Sequence, residues 1–188
     1  MYKYSIIILI AVLSLFSCDN ASQSRKQSNS SSAQTEQVTT KKQKAESLQF
    51  KKGEEYLVSV VSIADGDTFT GLTTDNKQVK CRIYGIDAPE KKQAFGNRSK
   101  QTLSDLIFGN QVHIKIQNKD RYRRAVVWVF TVEGKDVSAE MLKTGMAWHF
   151  KKYSKDAGYA EIENIARKQK IGLWADQNPV PPWEFRSK

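Results

Sequence analysis

The sequence has almost no cysteine. Cys18 and Cys81 are the two it contains, and their number and placement exclude a disulfide framework. With Cys18 consumed as described below, Cys81 stands as a lone thiol beside Arg82. No partner base accompanies it, so it reads as a small core residue rather than a nucleophile. The sequence also has no internal repeat, and its apolar run at residues 6–16 falls short of the roughly 20 residues that a permanent membrane helix needs. Acidic residues are in deficit: 20 Asp and Glu stand against 30 Lys and Arg, a formal charge of +10. That balance does not define a fold. It suits a polyanionic partner, either nucleic acid or an anionic membrane surface, unless the excess only keeps an exported protein soluble. The length and the 39% hydrophobic content fit one globular domain with extensions.

The extension is N-terminal. Lys3 supplies a positive start, residues 6–16 an apolar segment broken by Ser14, and Leu15-Phe16-Ser17-Cys18 follows. This is the layout of a secretory signal, and its end resembles the lipobox of bacterial lipoproteins. The resemblance implies cleavage after residue 17, acylation of Cys18, and a protein exported and lipid-anchored to the bacterial cell envelope. An ordinary signal peptide and a freely secreted protein is the alternative. Residues 19–47 are Ser, Gln, Lys, Thr and Asn with hardly a large apolar side chain. They cannot bury enough surface to offset the entropy of ordering. The expected organisation is a signal over 1–17, a flexible tether over 18–50 and a folded domain over 51–188.

Within that domain, residues 56–63, 68–73 and 78–84 alternate in polarity and are rich in Val, Ile and Thr. Asp65-Gly66 and Asp75-Asn76 separate them, which predicts a three-stranded meander. Residues 111–117 and 125–132 predict two more strands. Helices are expected over 97–108, 137–144 and 156–170, with Gly109 and Gly145 as stops for the first two. Residues 178–183 are Pro-rich and read as an ordered strap anchored by Trp174 and Trp183. Five short strands with helices after the third and fifth do not alternate as βαβ units. The fold class is therefore α+β, around a small closed antiparallel sheet.

Asp65, Asp67, Asp87, Glu90 and Arg82 fall within 26 positions, in an otherwise apolar and β-branched setting. Carboxylates at strand ends are costly to desolvate unless they bind something. A hard divalent cation with oxygen ligands is the simplest partner for several of them. The signatures stand in one order: Asp65-Gly66-Asp67-Thr68; Arg82, then Ile86-Asp87-Ala88-Pro89-Glu90; Asp120-Arg121-Tyr122-Arg123-Arg124; Gly145-Met146-Ala147-Trp148; and Gly172-Leu173-Trp174. Together they resemble the staphylococcal nuclease (thermonuclease) family over residues 56 to about 183. The resemblance implies an OB-fold, a five-stranded antiparallel β-barrel with about three helices. It also implies Ca²⁺-dependent hydrolysis of DNA and RNA phosphodiesters that leaves 3′-phosphate ends, by a protein expected to be a monomer.

A phosphodiester repels an attacking hydroxide, so its hydrolysis needs a metal, cationic clamps and a base. The resemblance assigns Asp67, Asp87 and the carbonyl of Ala88 to Ca²⁺, with Asp65 supporting the turn or the ligands. It assigns Glu90 as general base or as the group that positions the water. Arg82 and Arg124 become clamps for the charge of the transition state, a task suited to the planar guanidinium fork. Arg121 and Tyr122 match positions that contact a terminal phosphate. Arg123 stands where the family commonly carries glycine, and a positive φ there would strain it. Tyr153 matches a residue that lies against the substrate base, and Lys151 replaces another, favouring a phosphate contact. Stacking tolerates any base, consistent with low sequence specificity. His149 is as readily a structural histidine as a base. A binding module of the same fold without catalysis is the competing class, and the retained Asp67, Arg82, Asp87, Glu90 and Arg124 favour the enzyme.

Overall fold

A computed structural model of the protein describes residues 50–187, which lie within the unit Ala45–Lys188. The expected signal, the tether and the acylated Cys18 lie outside the described residues. The strands are β1 (Glu55–Ile63), β2 (Thr68–Thr73), β3 (Gln78–Ile83), β4 (Ile86–Asp87), β5 (Gln111–Lys119), β6 (Ala125–Thr131) and β7 (Trp148–His149). The helices are α1 (Gly96–Ile107), α2 (Val137–Lys143), α3 (Ala157–Lys168) and a single turn, α4 (Pro182–Phe185). Asp136 caps α2 by accepting from the N–H groups of Ser138 and Ala139, and Asp156 caps α3 by accepting from Tyr159 N–H.

Five strands close a barrel in the order β1-β2-β3-β6-β5, an OB-type architecture. The expectation of an antiparallel barrel needs one correction. β3 and β6 run parallel, with Cys81 opposite Ala125 and Ile83 opposite Val127. The reason is topological: a ring with an odd number of strands cannot alternate direction all the way round, so one seam must be parallel. The alternation read in the sequence is an inside–outside alternation. In β5, Val112, Ile114 and Ile116 point inward, and in β6 Ala125, Val127 and Val129 do so. With Phe69, Val79 and Cys81 they fill the barrel, and Leu103 and Ile107 of α1 and Met141 and Leu142 of α2 join the same buried cluster. Burial also raises the Cys81 thiol far above its usual pKa, which keeps it protonated and inert.

Three further features shape the site. Residues 86–87 form a short strand outside the barrel. They pair with β7, Ile86 against His149 and Asp87 against Trp148, which fixes Asp87 to a second, two-stranded sheet. Residues 178–183 end in a helical turn, because Pro182 opens α4, a position that tolerates its missing N–H. Trp183 on that turn stacks on Phe150, with ring centroids 5.4 Å apart and planes 5° from parallel. Trp174, on a 3₁₀ turn at Gly172–Ala175, meets Trp148 edge-on at 4.5 Å. Finally, Gly66 lets the β1–β2 turn approach α1. A Cβ there would run into the Ser99 hydroxyl and lie 2.8 Å from Ala88 Cβ.

Candidate active site

The register of β2 against β3 places Thr68 opposite Arg82, so Asp67 emerges beside the Arg82 side chain. The turn before it is tied locally: Asp67 N–H donates to Asp65 Oδ1 at 3.1 Å. Asp65 is therefore a turn-forming residue here. Asp67 Oδ2 accepts the Ala88 N–H at 2.6 Å, and Asp67 Oδ1 accepts the Thr68 hydroxyl at 3.0 Å. The first of these bonds joins the β1–β2 turn to the segment that carries Asp87.

One guanidinium nitrogen ties the two carboxylates together. Arg82 Nη2 lies 3.0 Å from Asp67 Oδ2 and 2.9 Å from Asp87 Oδ1. Its Nη1 donates to the carbonyls of Ile83 and Ile86, both at 2.8 Å. Asp67 and Asp87 are 5% and 1% exposed. Burial pushes the Asp67 carboxyl up to about 7; Arg82 pulls it back, and the charges of Asp65 and Asp87 add to the rise. Arg82 faces both carboxylates, and a second, partly exposed guanidinium, Arg186, reaches Asp87 alone. Paired buried carboxylates are the donor chemistry a hard divalent cation fits, and the buried Ala88 is bonded to one of them through its N–H. Among the described residues no three His, Cys, Asp or Glu side chains converge into a metal cage. The remaining ligands would therefore be solvent or substrate oxygens, as an open catalytic site requires.

Arg124 stands on the same edge. Its Nη1 reaches Thr68 Oγ1 at 3.3 Å, and its Nε pairs with Asp120 at 2.7 Å. Asp120 also accepts the N–H groups of Tyr122 and Arg124 at 2.9 Å each, so a single carboxylate builds the β5–β6 turn. On that turn Arg121 donates to the Tyr122 hydroxyl at 2.7 Å and lies over its ring. Tyr122 is exposed. Arg123 has φ +65°, the conformation that suits the glycine expected at that position, and it bears the strain of a non-glycine residue there.

Glu90 is half-buried, and its carboxylate accepts from Arg186 Nη1 at 2.7 Å. Arg186 also grips Asp87, with Nη2 2.7 Å from Oδ2 and Nη1 3.3 Å from Oδ1. The hydrogen bond to Asp87, followed by that to Glu90, holds the Arg186 proton more firmly still. Sequence reasoning missed Arg186. The only local sign was a proline able to open a helical turn, with Trp183 three residues before the arginine. Nothing in the sequence connected a position 99 residues downstream to Asp87.

The aromatic positions divide. Tyr153 is exposed, with its ring edge-on to Phe150 at 4.9 Å. The Lys151 ammonium is exposed but lies 3.4 Å from the buried Glu163 carboxylate. His149 is buried on β7, its Nε2 3.1 Å from the Ser154 hydroxyl. Burial lowers its pKa, partly countered by Glu163. It lies in the packing between β7 and α3, meeting Tyr159 edge-on at 6.0 Å, and takes no place in the carboxylate cluster.

Barrel, paired carboxylates and guanidinium groups together fit a hydrolase of phosphodiesters. Comparison with known proteins makes this particular. Residues 80–176 match the family model described as "Staphylococcal nuclease homologue". A Haemophilus influenzae protein named "Uncharacterized endonuclease" is 48% identical over 127 residues, covering 68% of this chain and 71% of that protein. "Micrococcal nuclease" of Shigella flexneri is 39% identical over 137 residues, covering 68% and 78%. "Staphylococcal-like nuclease CAN1" of Arabidopsis thaliana is 40% identical over 110 residues, covering 58% of this chain and 34% of that protein. The chain belongs to the staphylococcal nuclease family and is an enzyme of that class, a hydrolase of nucleic acid.

Proposed function

We propose that the protein is a Ca²⁺-dependent endonuclease that cleaves DNA and RNA and leaves 3′-phosphate ends. The observation that carries this reading is the convergence of Asp67 and Asp87 on one nitrogen of Arg82, with Glu90 joined to Asp87 through Arg186. Asp67, Asp87 and the Ala88 carbonyl would hold the cation. When bound, Ca²⁺ supplies charge neutralisation at the scissile phosphate and a more acidic water.

The chain's own groups do the rest. Glu90 is exposed enough to meet a water and takes its proton, or holds it in line for attack. Arg124, partly exposed beside Thr68, donates to the phosphate oxygens as negative charge builds on them. Arg82 fixes the two ligand carboxylates and adds its charge to the same field. Arg121 and Tyr122 form an exposed edge for a terminal phosphate, and Tyr153 offers a face to a base, with Lys151 beside it. The formal charge of +10 draws the polyanion in without selecting sequence. Outside the described residues, the pattern ending at Cys18 supports export and a lipid anchor on the cell envelope. The catalytic unit is proposed to work as a monomer.

The test is plasmid and RNA degradation with Ca²⁺ and with EGTA, alongside Glu90→Gln. We expect EGTA to stop cutting. Glu90→Gln should lower turnover by about 10²–10⁴-fold while leaving substrate binding nearly intact. Cutting that survives EGTA sinks the cation assignment, and equal loss of binding and turnover sinks the role of Glu90.

A further inference from the structure

Arg186 claims the same oxygens that a cation on Asp87 would need. Both carboxylate oxygens of Asp87 face its guanidinium, at 2.7 and 3.3 Å, and Oδ1 is shared with Arg82. A calcium ion binds carboxylate oxygen at about 2.3–2.6 Å, in the space a nitrogen at 2.7 Å fills. A cation on Asp87 Oδ2 and the Arg186 guanidinium therefore compete for the lone pairs and charge of one carboxylate.

The two arginines at the cluster are held very differently. The Arg82 side chain is 13% exposed and anchored by two backbone carbonyls. The Arg186 side chain is 43% exposed, and it donates to the carboxylates of Asp87 and Glu90. It follows α4, a single turn whose Trp183 is 36% exposed and rests on Phe150. Arg186 can therefore leave for solvent with little loss of packing, and Arg82 cannot.

We infer that Arg186 is a displaceable internal cation, a cap that competes with the divalent metal for Asp87 and frees Glu90 when it is driven off. This rests on the cation reading of Asp67 and Asp87 given above. Its consequence is coupling. The carboxylate that handles the water is tied up by the same guanidinium that guards the metal ligand, so cation binding and the release of Glu90 become one event. The C-terminal turn then sets metal affinity without contributing a ligand.

The experiment is Ca²⁺ titration of the full-length chain by calorimetry, with Arg186→Ala and Arg186→Lys. Removing a unit positive charge in contact with the ligand carboxylate should tighten Ca²⁺ binding by about tenfold or more. Lysine, which cannot bridge Asp87 and Glu90 with a planar fork, should give an intermediate affinity. A second measurement needs no variant to fold. The Arg186 side-chain NH resonances of ¹⁵N-arginine-labelled protein should move on Ca²⁺ addition to the position of a solvated guanidinium. Equal or weaker Ca²⁺ binding in folded Arg186→Ala, or Arg186 resonances that ignore Ca²⁺ while it binds, would overturn the cap and leave the cation site standing. No Ca²⁺ binding in any of the proteins would remove both.

Discussion

Asp67 offers the sharpest test of how the site is held together, through the substitution Asp67→Asn in the presence of EGTA. The folded carboxyl sits at about 7 against an ordinary value of 3.8, chiefly because it is buried. A carboxyl raised in this way binds a proton more readily folded than unfolded. Its contribution to stability is therefore fully present below pH 3.8 and is lost as pH rises through about 7. At roughly 1.4 kcal/mol per unit, the ionised carboxylate costs the folded state about 4 kcal/mol at pH 8. Asparagine keeps an oxygen for the Ala88 N–H and carries no charge. We expect the variant to match the wild type near pH 4 and to exceed it by about 2–4 kcal/mol at pH 8. Urea denaturation at pH 4, 6 and 8, with EGTA throughout, measures the difference. A gap that stays constant with pH, or a wild type that gains stability relative to the variant as pH rises, would refute the claim that Asp67 is an undercompensated buried charge.

The remaining predictions separate scaffold from chemistry. Arg82→Ala leaves Asp67 and Asp87 without their shared guanidinium and should cost about 3–5 kcal/mol of stability, read as a lowered urea midpoint. Arg124→Ala breaks a partly exposed pair with Asp120 worth about 1 kcal/mol or less; it should stay folded by circular dichroism while turnover falls about 100-fold or more. A folded Arg82→Ala beside an unfolded Arg124→Ala would reverse these roles. Arg123→Gly relieves the positive φ at a turn and should stabilise the domain by about 0.5–1 kcal/mol in thermal unfolding, after the extra freedom glycine has when unfolded. A lower melting temperature would mean that the arginine side chain supplies more than its backbone costs.

Local pattern determined a great deal here. Alternating Val and Ile marked five barrel strands within a residue or two, because inside–outside periodicity is a property of each strand alone. The helices at Gly96–Ile107, Val137–Lys143 and Ala157–Lys168 were legible from their own periodicity, and the types and spacing of Asp67, Asp87, Glu90, Arg82 and Arg124 were enough to nominate them as candidates. The positive φ of Arg123 was suggested only by the resemblance, through the glycine the family commonly carries there. What tertiary structure decided were relations between distant segments. The parallel seam between β3 and β6 arises only when an odd ring closes. The pairing of Asp87 with Trp148 depends on a strand far along the chain. Arg82 as the pin of two buried carboxylates follows from the register of β2 on β3, and Arg186 as a second guanidinium on Asp87 exists only once α4 lies against the site. Charge and polarity along a chain can nominate the residues; which oxygen meets which nitrogen is set by how the barrel closes and where its last turn comes to rest.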